Sequence, residues 1–168
     1  MRWTGTNGVD GDGGGETPFD LAGERSTTMY DVILVGTDGS PEAEAAIDHA
    51  ITLGAATGAV VHVVAVVDSS GSPMAFGIDE VDDINRAAEE LVEDVRSVYR
   101  GEDVEIRGDV RRGEPAEALE TYAADAGADL IVVGQRGAGG VTTSILGSTA
   151  DRLARTATIP VTIVPVER

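Results

Sequence analysis

Neither cysteine nor lysine occurs in this chain, and acidic residues outnumber basic ones 30 to 12. Without cysteine there is no disulfide, no thiolate nucleophile and no cysteine-ligated zinc or iron–sulfur site, a composition suited to a reducing compartment. Without lysine there is no Schiff-base chemistry and no P-loop, whose lysine reaches the phosphates. The 12 cations are all arginines and the formal net charge is −18. Nucleic acid and anionic lipid both require a cationic face, so neither is an expected partner. Long apolar runs are missing as well. The longest, around Ala59–Val67, is interrupted by His62 and falls far short of the roughly 20 residues that cross a bilayer. Residues 1–28 hold no apolar stretch of the secretory type, so the expected location is the cytoplasm.

What is present suits one globular domain: 168 residues, 42% of them hydrophobic, enough to bury a core. A strongly acidic, lysine-free composition is similar to that of proteins from organisms that keep molar salt in the cytoplasm. There the Debye length shrinks to about 3 Å, which screens the self-repulsion of such a charge.

Residues 1–28 stand apart, with seven glycines, few aliphatic residues and no period of 2 or 3.6. Such a segment does not bury enough surface to order itself and reads as a disordered tail, either native or an extension upstream of a start at Met29. From Tyr30 onward, apolar strand-like runs alternate with helical patterns. Strands are expected at 30–36, 59–67, 104–110, 129–133 and 160–166. Helices are expected at 41–56, along the stripe Val81, Ile84, Ala88, Leu91, Val95 and Val98, and at 115–126 and 147–157. Ser40 followed by Pro41 is a helix start. Runs such as VILV, VVHVVAVV and LIVV are apolar on consecutive residues, as strands covered on both sides must be. The expectation for 29–168 is a doubly wound α/β domain, a five-stranded parallel sheet with helices on both faces.

In such sheets ligands sit beyond the carboxyl ends of the strands, where strand order reverses. Two such ends attract attention. The first strand runs into Gly36-Thr37-Asp38-Gly39-Ser40. The fourth runs into the glycine-rich segment from Gly134 to Gly140, followed by Gly147-Ser148 at a helix start. Glycines let the backbone approach a ligand, and a helix N-terminus offers unpaired N–H groups to an anion. A dinucleotide fingerprint does not fit, because Thr142 stands where GxGxxG needs its last glycine.

The spacing Gly134-x2-Gly137-x9-Gly147-Ser148 resembles the nucleotide loop of the ATP-binding branch of the universal stress protein family. MYDVILVGTDGS (29–40), AVVD (65–68), RRGEPAEAL (111–119) and DLIVVGQRGAGG (129–140) resemble other segments of that family, in order, across 29–168. The resemblance implies that Asp38 contacts the nucleoside and helps hold nucleotide-bound Mg, and that Val66 lines the adenine pocket. It implies further that Gly134 and Gly137 wrap the ribose and phosphates, while Gly147, Ser148 and Thr149 donate hydrogen bonds to the phosphate chain. Arg136, the cation of this loop, is an added expectation: it would pair with a terminal phosphate. Gly36 departs from the family, where a residue such as Pro is frequent, and implies a looser pocket floor.

The implied function is that of a cytoplasmic, ATP-binding stress-response regulator with little or no hydrolysis. Alternatives are a slow ATPase or autophosphorylating protein with Ser148 or Ser144 as acceptor, and a nucleotide-free dimeric scaffold of the same family. The proline-bracketed last strand, 159–166, is an edge strand through which the family forms a homodimer. His49 and His62 lack carboxylates at ligand spacing, and the acidic run from Glu80 to Glu93 reads as a hydrated helix face.

Overall fold

The computed structural model describes residues 29–69, 78–138 and 145–165, and of 78–81 the backbone alone. The tail 1–28, the side chain of Val81, Ser144 and Val166 therefore lie outside the described residues. The elements are β1 (Val32–Thr37), α1 (Pro41–Thr57), β2 (Val60–Val67), α2 (Ile78–Val98) and β3 (Ile106–Arg112), then α3 (Pro115–Ala126), β4 (Leu130–Gly134), α4 (Ser148–Thr156) and β5 (Val161–Val164). All strands are parallel, in the order β3-β2-β1-β4-β5. The chain winds outward from β1 to one edge, returns to β4 on the other side of β1, and so places the reversal point between β1 and β4.

Consecutive apolar residues in the central strands serve opposite faces. Ile33, Val35, Val61, Val63, Leu130 and Val132 pack with α1 and Val95 of α2. Leu34, Val64, Ile131 and Val133 pack with Leu119 and Ala123 of α3 and Leu153 of α4. The helix boundaries have local causes. Ser40 Oγ accepts the Ala43 N–H at 3.2 Å and Pro41 opens α1. At the far end Gly58 (φ 77°) donates to Gly54 O, the left-handed cap that glycine adopts without strain. Helix α3 is capped by the Glu114 side chain and stopped by Gly127.

Two expectations need correction. The third strand lies two residues further along than its alternation suggests, at Ile106–Arg112, paired with β2 from Val61↔Ile106 to Val67↔Arg112. The pattern misleads because the face of β3 away from α2 is charged: Arg107 and Arg111 stay exposed and pair with Glu105 and Asp109. In α2 the inward residues are Val92 and Val95, whereas Ile84 and Val98 are exposed. A Cβ on Gly108 would fall almost on Val92 Cγ1, so the bare glycine draws α2 down onto β3 and turns Val92 inward.

His62, on β2, is buried, with Nδ1 2.9 Å from Tyr122 Oη of α3. The Arg111 guanidinium lies 4.9 Å from the Tyr122 ring centre. Burial, and next the nearby Arg107, push the His62 pKa below its ordinary 6.5, against the opposing pull of Glu105 and Asp109. The unfolded chain therefore binds this proton more readily. The stability that neutral His62 contributes is complete above the ordinary value and lost as pH falls below it. Urea unfolding at about pH 7.5 and about pH 5 should show wild type losing more stability than His62→Gln, since carboxylate contributions are common to both. Equal losses would refute this assignment.

Candidate functional site

The turn after β1 is an Asx turn: Asp38 Oδ1 accepts the Ser40 N–H at 3.0 Å, and Gly39 has φ 76°. The other carboxylate oxygen, Oδ2, accepts the Ala138 N–H at 2.8 Å. Asp38 thereby links the β1 turn to the glycine segment after β4, across the reversal point. A Cβ on Gly137 would run into that same Oδ2.

Gln135 organises the other side. Its N–H donates to Val164 O of β5, its Nε2 donates to Ile145 O, and its carbonyl accepts the Gly147 N–H, each at 2.8 Å. Gly147 is the N-cap of α4 and supplies no side-chain cap; the first helical bond runs from Asp151 N to Gly147 O at 2.9 Å. One expectation changes here. Ser148 is the first helical residue. The Gly147 amide is spent on Gln135 O, so the open donors at this helix mouth are the amides of Ser148, Thr149 and Ala150, which find no acceptor among the described residues.

A cavity of about 720 Å³ opens between these two chain ends. Asp38, Val66, Gly134 and Arg136 line it, as do Gly137, Gly147, Ser148 and Thr149, so all eight residues singled out from the sequence meet on one surface. Gly134 has a further reason to be glycine: a Cβ there would lie 2.6 Å from Glu42 O, in the first turn of α1. The floor is not loose. Leu119, buried, places Cδ1 2.8 Å from where a Cβ on Gly36 would stand and fills the space that glycine leaves.

Reading the sequence alone missed Asp151 and Arg155, which also line the cavity and pair at 2.9 Å. They follow Ser148 by three and seven residues, the helical spacing that keeps a face in line. Arg152 bridges α4 to the α3 cap, with Nη1 2.9 Å from Glu114 Oε2. Arg136 lines the cavity, and its Nε is buried with no hydrogen-bond partner. No group of three or more His, Asp or Glu among the described residues is arranged to hold a metal by itself. Nor is any described helix long and apolar enough to cross a membrane.

Comparison with known proteins agrees with this architecture. The model of the universal stress protein family matches residues 29–165. Universal stress protein MJ0531 of Methanocaldococcus jannaschii is 31% identical over 140 residues, covering 81% of this chain and 82% of the relative. Universal stress protein YxiE of Bacillus subtilis is 31% identical over 148 residues, covering 81% and 99%. Among solved structures, a universal stress protein in complex with cAMP superposes with a TM-score of 0.64 at 26% identity, covering 80% of this chain and 97% of that one.

Proposed function

The chain belongs to the universal stress protein family, and from that premise we propose that it binds ATP in the cavity between β1 and β4. On this reading it acts as a cytoplasmic, nucleotide-dependent regulator of a stress response. The observation that carries the proposal is the convergence of the eight residues on one cavity of about 720 Å³, a volume within the range of about 300–1,000 Å³ usual for small-molecule sites.

The residues suit the ligand. Val66, Leu119 and Leu146 supply apolar wall for a base. Gly137 and Gly147 let the backbone come close, and the Ser148, Thr149 and Ala150 amides offer donors to an anionic tail. The unpartnered Nε of Arg136 adds a cation to the same wall. Bound ATP would supply the anionic group to which these donors respond. Any Mg²⁺ would arrive with the phosphates, with Asp38 as a neighbouring carboxylate. Purified protein should retain or bind an adenine nucleotide, identified by mass spectrometry of the released small molecule and by calorimetric titration. Failure to bind adenosine or any of its nucleotides would overturn the proposal.

The same reading makes β5 the dimer strand. It is an edge of the sheet, bonded only to β4, and Val161, Ile163 and Val164 are half-buried. An apolar edge left open invites another strand. Light scattering at high salt should give twice the chain mass at about micromolar protein, a concentration at which a specific interface of standard size holds. A monomer there would contradict the assignment.

A further inference from the structure

Six described arginines are held in ion pairs, leaving Arg100, Arg112 and Arg136. Arg100 and Arg112 are exposed, whereas Arg136 is half-buried on the cavity wall. Its Nε is shut off from solvent and lacks an acceptor, an arrangement native proteins seldom leave unanswered. Its backbone is pressed against the start of α4, since a Cβ on Gly147 would lie 3.2 Å from Arg136 Cα. Beside it stand the three open amides of Ser148, Thr149 and Ala150. Of the three carboxylates that line the cavity, Asp38 accepts two backbone N–H groups, Asp151 is paired with Arg155, and Asp68 has an interaction of its own.

We infer that Arg136 determines specificity in this cavity, making it select a nucleotide with an open chain of two or more phosphates over a monophosphate, cyclic or not. The inference rests on the proposed nucleotide site and adds to it the group that reads the tail. The physical ground is a count of partners. A cyclic phosphodiester carries one negative charge and two free oxygens, and the three amides alone exhaust it. A nucleoside monophosphate places all its oxygens on a single phosphorus. Only a longer chain brings one phosphate to the amides and another to the guanidinium, whose planar fork suits two oxygens of one phosphate. A shorter tail leaves the buried Nε of the half-buried guanidinium without an acceptor, and that deficit is what discriminates.

The test is calorimetric titration of wild type, Arg136→Gln and Arg136→Lys with adenosine, AMP, cyclic AMP and ATP, at fixed ionic strength, with and without Mg²⁺. Wild type should favour ATP over AMP and cyclic AMP by about 30-fold or more, and Arg136→Gln should cut that preference about tenfold. Its adenosine affinity should stay within about twofold of wild type, and Arg136→Lys should recover part of the lost preference. Adenosine binding with an unchanged ATP-to-AMP ratio in Arg136→Gln overturns the role of Arg136 and leaves the nucleotide site standing. Wild type binding cyclic AMP as tightly as ATP overturns it too. If adenosine and every nucleotide fail to bind wild type, the site assignment and this inference fall together.

Discussion

Gly137→Ala is expected to weaken adenine-nucleotide binding by about 100-fold, equivalent to about 2.8 kcal/mol, while leaving the fold intact. The added methyl would be driven into Asp38 Oδ2. That oxygen has nowhere to retreat, because Oδ1 is held by the Ser40 N–H and Oδ2 by the Ala138 N–H. Either the Asp38–Ala138 link breaks or the segment after β4 backs away from the cavity, and both outcomes spoil a preorganised wall. Gly137 does not have positive φ, so alanine brings no backbone strain and little loss of global stability. Calorimetric titration with ATP, paired with a melting curve, checks both halves. Unchanged affinity would show that this contact does not shape the site.

The second large effect falls on stability. Gly134→Ala would place its Cβ 2.6 Å from Glu42 O and 2.7 Å from Glu42 C, which are backbone atoms in a helix turn anchored by the Ser40 cap. Forcing an extra methyl into such a contact costs about 1–3 kcal/mol, which in a domain of this size lowers the melting midpoint by about 2–12 °C. Gly101→Ala is the matched control, since nothing lies within 4 Å of a Cβ there and its φ is not positive. Equal midpoints for the two variants would disprove the close approach of α1 to β4. A difference confined to Gly134→Ala would confirm it.

Much of this fold could be read from the chain. Apolar runs on consecutive residues in β1, β2 and β4 announce strands covered on both faces, and α3 is legible at both ends because Pro115 and Gly127 bracket it. The edges were harder. The period of β3 blurs because charged residues occupy its face away from α2, and the stripe of α2 misdirects because Gly108 selects which residue turns inward. At the site, the glycine spacing and the family resemblance it carries pointed to the wall residues, but not to how backbone groups pair among themselves. That Gly147 gives its amide to Gln135, or that Asp38 uses both oxygens, depends on where two distant strand ends meet. Asp151 and Arg155 were within reach of helical spacing, had the face of α4 been followed past its first turn.

The two borders of the sheet differ in kind. β5 ends it with half-buried aliphatic residues, while β3 ends it with Arg107, Asp109, Arg111 and Arg112. A neighbour joined at β5, as proposed, would consume the aliphatic border of the described sheet, and the pair would then show ionic rims to the outside. Growth into ribbons would then lack a second apolar strand edge among the described residues. On the proposed pairing through β5, the charged β3 borders would hold such an assembly to two copies along the sheet.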